Sequence, residues 1–332
     1  MRISIILSAC LLQVQFISHA GNTQKMTSVS ISTDGKRVVS ASPNEVILWD
    51  MAAKKEIARE SFKATYVSII PGNKVVVAGS QGIRLYSSEN LSLIDSVQGA
   101  VSQLTGPYVV TTNGNYLFCR KTRGPKESFL HAIDLSTLKS FEAVSSQNKK
   151  LFNDDVRFTV SSDNRFLYML TGGFILQQFS IADSKTVGEF TVDKVHTEIL
   201  RANALAAGKE YLYLGSNCKI GSSGKEISRY LSEKSLMGFG VSKLDEGITA
   251  MAYSQALQAV FVATLKKKIY VMYDTEGKVK KLASIDRFIQ WMEVSADGRY
   301  LAIATGFGDK GNDDFPTIVL DAVSGKKVAE LK

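Results

Sequence analysis

Histidine is the scarcest chemically versatile residue in this 332-residue chain, present only as His19, His131 and His196. His131 stands between Leu130 and Ala132 in an apolar run, the setting of a structural residue, and His196 falls in a connector beside Thr197 and Glu198. So few imidazoles cannot build a multi-histidine metal centre. A Ser–His–Asp triad could be assembled from the residue types present, but no G-x-S-x-G elbow or comparable context presents a nucleophile. The densest group of oxygen ligands is Asp309, Asn312, Asp313 and Asp314, all on one loop. That spacing can hold Ca²⁺, yet the D-x-[DN]-x-[DN]-G pattern of a calcium loop is not met, and a solvated acidic loop is the default. No metal and no cofactor is therefore expected. A cluster of opposite sign, Arg120, Lys121, Arg123 and Lys126, surrounds Gly124-Pro125. These four residues and Asp309, Asp313 and Asp314 are the candidate partner-binding residues, and no residue is assigned a catalytic role.

The ends and the composition bound where such groups can act. Arg2, the mostly apolar run 3–12 and the small residues of Ser18-His19-Ala20 predict a secretory signal peptide over 1–20, cleaved after Ala20. The run is interrupted by Gln13 and Gln15 and falls short of the roughly 20 apolar residues of a membrane span. Leu7-Ser8-Ala9-Cys10 also resembles a lipoprotein cleavage box, but the apolar core before Cys10 is short and apolar residues continue past it. A periplasmic or secreted protein is the expectation. The net charge of +8, or +7 once Arg2 is removed, is dispersed as short basic pairs at turns. Such pairs solvate strand ends and discourage edge-to-edge association, and nucleic acid is not expected as a partner. Cys119 and Cys218 remain after cleavage and do not form a disulfide framework; two separate, largely buried thiols are expected.

The element that positions everything else is a repeated unit. In 29–61 a short alternating strand, a Thr33-Asp34-Gly35 turn, a β-branched run, a run ending in Trp49-Asp50 and a polar fourth run follow one another. Four short strands make one antiparallel sheet, too small to be stable alone. The unit recurs, and the Asp or Ser closing its third strand falls at Asp50, Ser87, Asp134, Ser180, Ser232, Asp274 and Asp321, at steps averaging about 45 residues. Seven such rows predict an all-β fold, a seven-bladed β-propeller of four-stranded antiparallel blades spanning 21–332 as one domain. Blade five is the least regular, and its 199–208 stretch could be taken for a helical turn. Each block runs from a first strand to a fourth, so the ring is expected to close by packing of blade seven on blade one, without a shared blade.

The Asp34-Gly35 and Asp297-Gly298 turns and the endings Trp49-Asp50, Ile133-Asp134 and Leu320-Asp321 resemble those of divergent WD40-like and YVTN-like secreted β-propellers. The Gly-His dipeptide that usually opens a WD40 repeat is missing, so blade edges are expected to rely on apolar packing in place of a His–Asp network. The resemblance implies architecture more than activity, since propellers host binding proteins and enzymes alike. Quinoprotein dehydrogenases of propeller type carry repeated tryptophan docking motifs, whereas this chain has only Trp49 and Trp291. Trp291, on the first strand of blade seven, is placed either to line the axial channel or, by default, to pack between blades. Two functions follow as expectations: a non-catalytic protein-binding scaffold, its partner on the face bearing the blade-three and blade-seven loops, or a lactonase-like hydrolase using a carboxylate-bound divalent cation. Carboxylates converging on the axial mouth would favour the enzyme.

Overall fold

The computed structural model describes residues 26–97, 104–122, 128–144, 157–170, 175–191, 202–208, 210–216, 226–231, 238–244, 246–308 and 315–332. Every regular element in them is a strand, and the strands form seven four-stranded antiparallel sheets arranged as a β-propeller. Blade one is β1 (Ser28–Ile31), β2 (Arg37–Ala41), β3 (Glu45–Asp50) and β4 (Lys55–Ser61). Blade two is β5 (Ala64–Ile70), β6 (Lys74–Gly79), β7 (Gly82–Ser87) and β8 (Leu93–Ser96). Blade three is β9 (Leu104–Val110), β10 (Tyr116–Thr122), β11 (Ser128–Asp134) and β12 (Ser140–Val144). Blade four is β13 (Arg157–Val160), β14 (Phe166–Leu170), β15 (Ile175–Ser180) and β16 (Lys185–Thr191). Blade five is β17 (Ala202–Ala207), β18 (Tyr211–Ser216), β19 (Glu226–Leu231) and β20 (Gly238–Lys243). Blade six is β21 (Ile248–Ser254), β22 (Ala259–Thr264), β23 (Lys268–Tyr273) and β24 (Val279–Ser284). Blade seven is β25 (Arg287–Val294), β26 (Tyr300–Gly308), β27 (Thr317–Asp321) and β28 (Lys327–Leu331).

The burial of each strand follows from its place in the disc. Second strands are covered on both sides by neighbouring blades, so they are continuous apolar runs: Val75–Ala78 in β6 and all of β22 are buried. Successive side chains point to opposite faces. Val75 and Val77 accordingly pack toward blade one, and Val76 and Ala78 toward blade three. Fourth strands lie on the rim and are mostly exposed, as in the KEIARES of β4. Seven apolar clusters result, one at each junction between blades, so burial is spread around the ring instead of being pooled in one centre.

The recurring polar residues close turns. Ser32 donates its hydroxyl to Asp34 Oδ1 at 2.7 Å, and the carboxylate accepts from the Lys36 N–H while Gly35 sits at φ +68°. Ser161 with Asp163 and Ser295 with Asp297 repeat this geometry, each at 2.6 Å. At the end of the third strand the Asp caps the next turn: Asp50 accepts from the Ala53 N–H, Asp134 from Ser136 and Thr137, Asp321 from Val323 and Ser324. Each is thereby held below the usual carboxylate range, chiefly by these hydrogen bonds. The stretch around 202–207 is a strand, β17, not a helical turn. Its alanines take extended backbone because β18 pairs with them on one side and the ring encloses them on the other.

The ring closes as expected, each blade being complete within one block of sequence. Thirteen buried residues of blades seven and one pack at the seam, Trp49 and Phe315 among them. Packing is not the whole closure. The Met26 N–H donates to the Thr305 carbonyl at 3.2 Å, one backbone bond joining the two ends of the fold.

Candidate functional site

The first strand of every blade stands on the axis and packs against the first strands of its neighbours. Together they enclose a central channel of about 940 Å³. One mouth opens on the face of first-to-second and third-to-fourth turns, the other on the face of second-to-third loops and inter-blade links. A shared irregularity shapes the wall. In β5, β17, β21 and β25 one residue bulges out of register before the pairing resumes, at Thr65, Asn203, Thr249 and Gln290. The residue that follows the bulge lines the channel, and its size differs sharply around the ring: Tyr66 and Trp291 on blades two and seven, Ala204 and Ala250 on blades five and six. At this level the wall is aromatic on blades two and seven and recessed on blades five and six.

The aromatic half is a connected group. The Trp291 ring meets Tyr66 edge-on with centroids 6.0 Å apart, and Tyr66 lies 6.1 Å from Tyr108. Trp291 is 37% exposed, whereas Trp49, the other tryptophan, is 1% exposed and donates its indole N–H to Ser40 Oγ at 2.9 Å. Trp291 therefore lines the channel and is not an inter-blade packing residue.

Two residues beyond Trp291 on the same strand is Glu293, the one carboxylate among the described residues of the channel wall. Its Oε1 accepts the Ser30 hydroxyl at 2.7 Å and the Ile31 N–H at 3.2 Å, both from blade one. Ser30 Oγ in turn accepts the Ile69 N–H of blade two at 2.9 Å, so one carboxyl oxygen ties three blades. Both bonds fall on Oε1 and neither on Oε2, and the residue itself lines the channel. Burial pushes the Glu293 carboxyl up to about 7, against the pull of the Ser30 and Ile31 hydrogen bonds. Arg157 opens β13 across the channel, at the link-face mouth.

A second half-buried carboxyl lies at the junction of blades five and six. Asp274 accepts the Tyr213 hydroxyl on Oδ1 and the Tyr253 hydroxyl on Oδ2 at 2.7 Å, and its carbonyl accepts from Arg229 at 2.8 Å. The two tyrosine rings stack at 6.0 Å, and Arg229 lies over the Tyr211 ring at 4.6 Å. Burial raises the Asp274 carboxyl, and burial and the carboxylate raise both phenols. Gly208 is required here because a Cβ would fall 2.5 Å from the Tyr253 ring. Polar bracing between blades is thus present, contrary to the expectation of apolar packing alone, with tyrosine hydroxyls serving where a WD40-type network would use histidine.

Of the residues expected to bind a partner, Arg120 and Lys121 lie in β10, half-buried and paired with Leu130 and Phe129, because the strand runs on to Thr122. They are strand residues at the base of the second-to-third loop, not part of it. Arg123, Lys126, Asp309, Asp313 and Asp314 fall outside the described residues, as do the signal segment, His196 and Cys218. The gaps holding them separate β10 from β11 and β26 from β27. His131 is buried in β11, and Cys119 is buried in β10, where burial pushes its thiol up to about 12. Neither Glu293 nor Asp274 was singled out by sequence as a site. The one available signal was an acidic residue between apolar strand positions, in Met292-Glu293-Val294. Compared with known proteins, the chain matches no protein-family model and no curated protein sequence.

Proposed function

We propose that the protein is a non-catalytic, protein-binding scaffold of the cell envelope or extracellular space, carried there by the segment 1–20. The observation that carries this is the composition of the channel wall: among its described residues Glu293 is the single carboxylate. A hydrolase working through a carboxylate-bound cation needs several acidic oxygens converging on the axis. A rigid disc that presents loops on two faces suits recognition. The basic loop of blade three and the acidic loop of blade seven share the link face, three blades apart by the shorter way round. The charge separation between them orients an incoming partner.

The test is capture of partners from an envelope fraction with native protein and with Arg123→Glu plus Lys126→Glu, both beyond the end of β10. The reversed loop should slow association and weaken its salt dependence while leaving thermal unfolding unchanged. Unchanged binding, with loss on substitution of the turn-face residues Asp34 and Asp297, would overturn the assignment of the face. Turnover of a lactone panel that depends on added Ca²⁺ would overturn the scaffold reading itself.

A further inference from the structure

The channel has the parts of a small-molecule site that a pure scaffold does not need. Its volume of about 940 Å³ lies in the range of ligand cavities. Tyr66, Tyr108 and Trp291 line the channel from blades two, three and seven, and Phe158 and Tyr253 from blades four and six, while Ala204, Ala206, Ala250 and Ala252 set back the wall on blades five and six. The recess therefore lies beside Trp291, on its blade-six side. Trp291 and Glu293 are alternate residues of β25, so their side chains leave the same face of the strand about 7 Å apart. The bulge at Gln290 re-aims this segment toward the axis, the usual service of a bulge beside a site. Oε1 of Glu293 is fixed by two donors from blade one and Oε2 is left open.

We propose that the channel binds a small organic cation, with a primary or secondary ammonium group donating to Glu293 Oε2 while an adjoining apolar or aromatic part rests on Trp291. The pairing follows from what each group lacks. An ionised carboxylate withdrawn from bulk water is stabilised by a cation that brings its own N–H donors. The face of an indole attracts the same cation at distances up to about 6 Å. A neutral ligand would meet only the second of these groups, and an anion would be opposed by the first. Arg157, across the channel at the link-face mouth, makes the wall bipolar along the axis and sets the direction in which such a ligand enters, cation last from the turn face.

Three probes that share a phenyl ring and differ in the head group decide it: phenethylammonium, 2-phenylethanol and phenylacetate. Titration calorimetry gives affinity, and Trp emission locates the ligand, since Trp49 is sealed and Trp291 is open. Phenethylammonium should bind about tenfold tighter than the alcohol, with phenylacetate weakest. Glu293→Gln keeps an amide oxygen for Ser30 and Ile31 and so preserves the blade contacts, but should bring cation and alcohol to within about twofold of each other. In the native protein the preference should grow between about pH 6 and about pH 8 as Glu293 ionises, and the variant should show no such trend. Equal binding of the three probes, tightest binding of phenylacetate, binding that leaves Trp291 emission unmoved, no heat with any probe at millimolar concentration, or a preference that survives Glu293→Gln would each overturn the proposal.

Discussion

At the junction of blades five and six, Asp274 spends both carboxyl oxygens on two tyrosine hydroxyls; at the seam of blades seven and one, Glu293 spends a single oxygen on a serine hydroxyl and a backbone N–H. Both are half-buried acids, both have raised pKa values, and both hold neighbouring blades together. The difference lies in what is left over. Asp274 is saturated by protein, as a structural brace should be, whereas Glu293 lines a cavity and keeps Oε2 out of both bonds. Burial of an acid marks a constraint; a remaining lone pair beside an open aromatic face marks a site.

The contrast breaks first at Asp274. Asp274→Ala strands two phenolic hydroxyls, one of them on the fully buried Tyr213, and should cost about 2–4 kcal/mol of stability, read by denaturant unfolding. A loss under 1 kcal/mol would make the cluster incidental rather than a brace.

Glu293 should behave in the opposite sense at neutral pH. Its folded-state pKa of about 7 lies above the ordinary 4.5, so the fold takes up the proton more readily than the unfolded chain. The contribution is full below about pH 4.5 and is lost as pH rises through about 7. Glu293→Gln, which mimics the protonated acid, should therefore be more stable than the native protein at pH 8, by on the order of 1–3 kcal/mol, and little different at pH 4.5. Parallel stability curves for the two proteins from pH 4.5 to 8 would show that the carboxyl is not held as described.

A finer difference separates the two regions in their dynamics. Among the described residues the seam is crossed by the backbone hydrogen bond from Met26 to Thr305 and by the Glu293 clip. Amides of β1 should exchange with solvent faster than those of β18 and β22, and faster still above pH 7, when the clip carries a charge. Uniform protection around the ring would remove the distinction. The smallest effect belongs to the exposed turns: Asp321→Ala removes acceptors for Val323 and Ser324 and should cost about 0.5–1 kcal/mol, with no change at the channel or the seam.

The blades were legible because their markers are local. An Asp or Ser that caps the turn after the third strand must stand within three residues of the N–H it satisfies, so it recurs at a fixed place in each repeat. The doubly covered second strands advertise themselves as unbroken apolar runs such as Val75–Ala78. The site is legible in none of these ways. Tyr213 and Asp274 are 61 residues apart, and Ser30 and Glu293 are 263 apart, so each pair exists only after the ring has formed. The bulge at Gln290 sets Ile289 out of step with Trp291, so the two-residue alternation does not run through the whole of β25. Blade five misled for a related reason: its alanines answer to the space inside the ring and not to backbone preference.

Because every sheet is drawn from consecutive strands and none is shared between the two ends, the present cut point of the chain is arbitrary with respect to the fold. The link from β4 to β5 needs only residues 62–63, and that from β24 to β25 only 285–286. A circular permutant that joins Lys332 to Met26 through a comparably short peptide and opens in the stretch between β12 and β13 would trace the same seven sheets in the same cyclic order. In that rearranged chain blades seven and one would become neighbours in sequence, and blades three and four would inherit the unconnected junction, without the carboxyl clip that now guards it.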